Sequence, residues 1–213
     1  MQGLSLKPFS WHKLAMDKFD EAKIERIRDN LDKPLVIIGL MGAGKTRIGK
    51  QLASTIGLDF YDSDDEIEQA AGMPVSEIFE RFGEAYFRDG ERRVIERLVD
   101  ESYDASSHYV IATGGGAIMT QETQELLLSK THLVWVRADI DVMVERTARR
   151  DTRPLLKNGD PREILTTLMN KRYPVYEKAD IVVESHNGPV EAVMNQALDK
   201  IYNFLRYDNR QTG

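Results

Sequence analysis

Apolar residues along this chain fall into two kinds of pattern. LVIIG (35–39), LDFYD (58–62), YVIATGG (109–115), LVWVR (133–137) and DIVVES (180–185) are short runs rich in Val, Ile and Leu, as expected of strands covered on both faces. Between them the period lengthens to that of a helix. TRIGKQLASTIG (46–57) sets Ile48, Leu52, Ala53 and Ile56 on one side and stops at Gly57, a residue suited to a left-handed cap. Residues 64–99 are helical in pattern but punctuated by Gly72, Pro74, Gly83 and Gly90, and the stretch is too long for a simple crossover. Strands alternating with helices predict a parallel α/β sheet wrapped by helices. The long stretch then forms a helical insertion beside the strand ends, where open α/β sheets bind ligands.

Residues 1–33 stand apart from this alternation. They are rich in charge, and Trp11, Leu14, Ile24, Ile27 and Leu31 give only a partial helical stripe. A docked or frayed, partly helical extension is expected, with a partner-binding arm as the alternative. The main domain is placed at 34–208.

Composition narrows the chemistry. With no cysteine in 213 residues, disulfides, thiolate metal sites and a thiol nucleophile are excluded. His12, His108, His132 and His186 are scattered without metal-ligand spacing. A net charge of −6 argues against a generally basic nucleic-acid binder, so any anion site must be local. No run approaches the roughly 18 apolar residues of a membrane span, and a cytoplasmic protein is expected.

The local anion site is GLMGAGKT, Gly39 to Thr46, where the first predicted strand turns into the first predicted helix. The spacing of Gly39, Gly44, Lys45 and Thr46 lets the backbone curl until successive N–H groups point inward at a helix N-terminus, a nest for phosphates. Lys45 reaches the β- and γ-phosphates and the Thr46 hydroxyl suits Mg²⁺. A glycine-rich turn arising by chance is the competing explanation, and the strand before it and capped helix after it weigh against chance. YDSDDEIE follows the second strand. Alternation along an extended strand end would send Asp62 and Asp64 to the side of the phosphate loop, one near a metal or its water and one near an acceptor hydroxyl. The same residues also read as a helix cap, and the two readings are compatible.

In FRDGERR, Arg88 and Glu91 lie three apart on one helix face, so the carboxylate can orient the guanidinium; an ordinary surface ion pair has the same spacing. Gly114, Gly115 and Gly116 follow the third strand and allow a ligand to approach the backbone unobstructed. Arg146, Arg149, Arg150, Arg153 and Arg172 form a candidate anion clamp and lid, in which Arg149 and Arg150 read as a solvated helix face. A GTP-dependent switch is disfavoured, since NKRY at Asn170 has Tyr173 where a guanine-binding motif needs Asp.

GLMGAGKT, DSD, FRDGE, ATGGGA, TRPLL and KRYPVY, in this order and spacing, resemble the shikimate kinase family over about residues 34–205. The resemblance implies a P-loop NTPase-like three-layer α/β sandwich: a five-stranded parallel sheet flanked by helices, with a mobile lid at about 148–160 and substrate-binding helices at about 63–100. It implies transfer of the ATP γ-phosphate to the 3-hydroxyl of shikimate, on the chorismate route to aromatic amino acids. Gly42, Ala43, Gly44, Lys45 and Thr46 would hold the ATP phosphates, Arg146 the adenine and Arg153 the γ-phosphate. Thr46 and Asp62 would hold Mg²⁺, the implied cofactor. Asp64 would bind shikimate and activate its hydroxyl. Arg88 and Arg172 would hold its carboxylate, with Glu91 orienting Arg88, and Gly115 and Gly116 would contact the ring. Lys45, Asp64 and Arg153 are thus the implied catalytic set. Shikimate and ATP are the expected partners, with no nucleic acid or membrane, and a monomer is expected. The family often has Ser where Thr46 stands, a change that keeps the hydroxyl.

Overall fold

A computed structural model describes residues 19–104, 108–148 and 159–208. Strands β1 (Leu35–Ile38), β2 (Phe60–Asp62), β3 (Val110–Ala112), β4 (His132–Ala138) and β5 (Ile181–Ser185) form one sheet in the order β2-β3-β1-β4-β5, parallel throughout. All five apolar runs become strands. Leu35 to Ile38 are completely covered because β1 is the central strand, flanked by β3 and β4. The chain runs from β1 outward to β2 and returns through β3, then crosses to β4. That reversal opens a crevice at the carboxyl ends of β1 and β3. Residues 39, 58, 59, 109, 113–115 and 180 lie outside the strands, so four of the runs are longer than the strands they contain.

Helix α1 spans Glu21–Asn30 and α2 Lys45–Ile56. The apolar stripe of α2 is buried as expected, at Ile48, Leu52, Ala53 and Ile56. Gly57 ends it at φ 84°, its N–H donating to the Ala53 carbonyl. The insertion resolves into α3 (Ser63–Ala71), closed by left-handed Gly72, and α4 (Val75–Asp104), 30 residues bent at Gly83, where φ is 80° and ψ 174°. Gly90 lies within α4 without interrupting it. The remaining elements are a 3₁₀ turn (Ala117–Met119), α5 (Gln121–Lys130), α6 (Ile140–Ala148), α7 (Pro161–Tyr176) and α8 (Val190–Asp208). Asp160 caps α7 by accepting from the Arg162 N–H, and Pro161 occupies the first turn, where its missing N–H costs nothing. Among the described residues no helix is long and apolar enough to cross a membrane.

Helix α1 packs against α8 and α2. Ile24 and Ile27 are fully buried, each worth roughly 1.5–3 kcal/mol of apolar burial. Arg28 donates from Nε and Nη2 to the Ile56 carbonyl at 2.8 and 2.6 Å, supplying a cation to the last turn of α2. Asp32 pairs with the buried His132 at 2.7 Å at the start of β4. Trp11 and Leu14 lie outside the described residues.

Candidate active site

The turn between β1 and α2 depends on glycine. Gly42 and Gly44 have φ of 81° and 101°, conformations that side-chain-bearing residues rarely adopt. No side chain caps α2, so the first-turn N–H groups stand at the positive end of its dipole. Lys45 Nζ folds across the loop to within 3.3 Å of the Leu40 carbonyl. Arg146 of α6 braces the loop from behind. Its Nη1 donates to the carbonyls of Gly42 and Ala43, both at 3.2 Å, and to Ser185 Oγ at 2.8 Å, while Nη2 donates to the His186 carbonyl at 2.7 Å. Desolvation there holds the guanidinium below its ordinary pKa, with Arg47 adding to the effect. A groove of about 550 Å³ runs beside this brace, bounded by Gly44 to Ile48 on one side and Ser185 to Gly188 on the other.

Asp62 and Asp64 meet this loop through the helix cap, the second of the two geometries their sequence allows, rather than through strand alternation. The strand ends at Asp62, which caps α3 by accepting from the Asp64 N–H at 3.1 Å, so Asp64 projects from a helix turn. The other Asp62 oxygen accepts from Thr46 Oγ1 at 2.8 Å. Ser63 between them is fully buried and accepts the Gly114 N–H at 3.2 Å, tying the acidic turn to the glycine loop. Asp64 is exposed to solvent, but the protein packed beside it partly desolvates its carboxyl. That desolvation, with the Asp62 charge, raises its pKa above the ordinary aspartate range, while Lys45 and Arg88 oppose the shift.

Gly114, Gly115 and Gly116 show how tightly the cleft is assembled. A Cβ at Gly114 would lie 2.6 Å from Glu91 Oε1 and 3.0 Å from Asp64 Oδ1. At Gly115 it would lie 3.1 Å from Arg172 Nη1, and at Gly116 2.7 Å from Arg88 Nη2. A side chain at Gly114 or Gly116 would crowd Glu91, Asp64 and Arg88, Gly115 is closed in by the Gly39 carbonyl and Arg172, and Asp64, Glu91, Arg88 and Arg172 thus converge on one loop. Arg88 Nη1 donates to Glu91 Oε2 at 2.6 Å, and the Glu91 side chain is only 2 % exposed, unlike a surface ion pair. Burial raises the Glu91 pKa despite Arg88, and its Oε1 has no hydrogen-bond partner. Arg172 is buried at 9 % exposure on α7. Arg149, Arg150 and Arg153 fall outside the described residues, as does most of the expected lid.

Four contributors carry no signal of their own in the sequence. Ser63 was only the middle of D-S-D. Ser185 and His186 hold Arg146 through a contact about 40 residues apart in sequence. Tyr176 ends KRYPVY with no chemistry that the motif alone names; its hydroxyl donates a hydrogen bond to the Gly115 carbonyl. The spacing of Arg172 and Tyr176, four apart on one helix, was the one available clue.

A parallel sheet with a phosphate loop after its central strand, flanked by carboxylates and guanidinium groups, defines a P-loop phosphotransferase. Comparison with known proteins narrows the class. The family model described as shikimate kinase matches residues 41–202. The shikimate kinase of Paramagnetospirillum magneticum is 48% identical over 175 residues, covering 82% of this chain and 87% of its own. That of Novosphingobium aromaticivorans is 46% identical over 184 residues, covering 86% and 95%. Among solved structures, the shikimate kinase of Acinetobacter baumannii in complex with shikimate superposes with a TM-score of 0.72 at 33% identity, covering 83% of this chain and 94% of its own. The chain belongs to the shikimate kinase family.

Proposed function

We propose that this enzyme transfers the γ-phosphoryl group of ATP to the 3-hydroxyl of shikimate, giving shikimate 3-phosphate and ADP. The observation that carries this reading is the convergence of Asp64, Arg88, Glu91 and Arg172 on the glycine loop beside the phosphate nest. Arg88, held by Glu91, and Arg172 suit a carboxylate, because guanidinium groups bind carboxylates through paired, charge-assisted hydrogen bonds. Asp64 lies where a ring hydroxyl would be presented to the phosphate loop. It accepts the hydroxyl proton as the oxygen bonds to phosphorus, and the bond to the bridging oxygen of ADP breaks. Lys45 and the first-turn N–H groups of α2 stabilise the charge on the transferring group, and no covalent enzyme intermediate is needed.

Thr46 Oγ1 and Asp62 Oδ2, 2.8 Å apart beside the phosphate nest, are the hard oxygen donors that Mg²⁺ prefers. Among the described residues no cluster of three or more His, Cys, Asp or Glu could hold a metal alone, which fits an ion held chiefly by nucleotide phosphates and water. Bound there, Mg²⁺ supplies charge neutralisation at the β- and γ-phosphates. Gly42, Ala43 and Gly44 line the phosphate turn, Arg146 borders the groove for the base, and Gly115 and Gly116 face the ring. Arg153 takes the γ-phosphate role implied by resemblance. An ADP-release assay with and without shikimate tests the reading: shikimate-dependent ADP formation supports it, and turnover indifferent to shikimate refutes it.

A further inference from the structure

Tyr176 is fully buried at the end of α7, four residues after Arg172. Its ring packs edge-on against Trp135 of β4 at 5.8 Å between centroids, a contact that phenylalanine would make equally well. The hydroxyl is therefore surplus to packing, and burying it without a partner would be costly. Its proton goes to the Gly115 carbonyl. Burial pushes the phenol pKa up to about 12 although the neighbouring Arg172 charge acts the other way, so the group stays a donor at physiological pH.

Gly115 is confined on several sides. A Cβ there would stand 3.0 Å from the Gly39 carbonyl, 3.1 Å from Arg172 Nη1 and 3.7 Å from the Tyr176 oxygen. The peptide bond is planar and trans, so holding the Gly115 carbonyl also sets the direction of the Gly116 N–H on the opposite side. Gly116 is the residue against which Arg88 lies, and Gly115 the one against which Arg172 lies. The two arginines come from α4 and α7, 84 positions apart in sequence, and this loop is what both lean on.

We propose that Tyr176 is a positioning residue for the substrate carboxylate: its hydroxyl locks the Gly115–Gly116 peptide and thereby sets the gap between Arg88 and Arg172. This inference rests on the function proposed above. It places the control of carboxylate geometry in a side chain that does not touch the substrate.

The test is Tyr176→Phe in the full-length enzyme, which removes one oxygen and keeps the ring. Loss of one hydrogen bond acting through the loop is expected to raise the shikimate KM by about three- to tenfold, with kcat and the ATP KM within about twofold of wild type. If Tyr176 acts through Arg172, its effect on kcat/KM for shikimate shrinks to near unity in an Arg172→Ala background. A lowered Tm with both KM values unchanged would make the hydroxyl merely structural and overturn the proposal. So would an equal loss toward ATP and shikimate, or full additivity with Arg172→Ala. Wild-type enzyme without shikimate-dependent ADP release would overturn the functional reading first, and this inference with it.

Discussion

Gly116 has φ −102° and ψ −10°, backbone angles that alanine adopts without strain, so Gly116→Ala perturbs the cleft by volume alone. The new Cβ would lie 2.7 Å from Arg88 Nη2 and 2.9 Å from both Cζ and Nη1. Restoring an ordinary contact of about 3.5 Å requires the guanidinium to retreat by roughly 0.8 Å. Arg88 is the end of a flexible chain and its side chain is 22 % exposed, so it can move at little cost to folding. The retreat stretches its 2.6 Å bond to Glu91 and withdraws it from the carboxylate position. A hydrogen bond between charged groups contributes about 1.5–3 kcal/mol, so the shikimate KM should rise roughly 10- to 150-fold. The ATP KM should stay within about twofold, because the phosphate loop is not touched. Coupled ADP-release kinetics with each substrate varied in turn supply the numbers. Gly90→Ala is the control: its Cβ would meet nothing within 4 Å, so it should leave both KM values alone and stabilise α4 by about 0.5–1 kcal/mol. A Gly116→Ala enzyme with wild-type shikimate KM would refute the claim that Arg88 reaches the substrate from this loop.

Asp64→Asn should lower kcat by about 10²–10⁴-fold, the usual contribution of a general base, while nucleotide affinity from equilibrium titration changes little; near-wild-type turnover removes Asp64 from the chemistry. Glu91→Gln tests a cost of function. The Glu91 pKa is raised in the folded state, so its contribution to stability is complete below the unfolded value near 4.5 and is lost as pH rises through the folded value. The neutral isostere should therefore match or exceed wild type in Tm at neutral pH, with the difference closing in acid, even as the shikimate KM rises; a Tm deficit confined to neutral pH contradicts this. Arg28→Ala should cost about 1 kcal/mol, or a few degrees in Tm, without altering either KM; unchanged thermal unfolding would show that the α2 terminus does not need this cation.

Much of the architecture was legible because burial on both faces leaves an uninterrupted apolar run. LVIIG and LVWVR could hardly be read otherwise, and the stripe of Ile48, Leu52, Ala53 and Ile56 named the covered side of α2. Local sequence reached its limit where conformation is settled by contacts distant along the chain. Gly83 and Gly90 are the same residue in similar helical surroundings, yet only Gly83 bends α4. For Asp62 and Asp64 the sequence admits both strand alternation and a helix cap, and contacts in the fold make the cap the one that sets their geometry. The candidate site divides in the same way. GLMGAGKT is a continuous motif whose chemistry is stated by its spacing. The Tyr176 contact with Gly115 spans 61 positions, and the Arg28 contact with Ile56 joins α1 to the end of α2. Neither leaves a periodic trace.

One cleft should hold a nucleotide on the Lys45 loop and a carboxylated ring between Arg88 and Arg172. A crystal structure of the enzyme with ADP and shikimate examines it most directly. The ring carboxylate should lie within hydrogen-bonding distance of both Arg88 and Arg172, with the 3-hydroxyl toward Asp64. A carboxylate bound at Lys45 instead, or a ring seated away from the glycine loop, would contradict it.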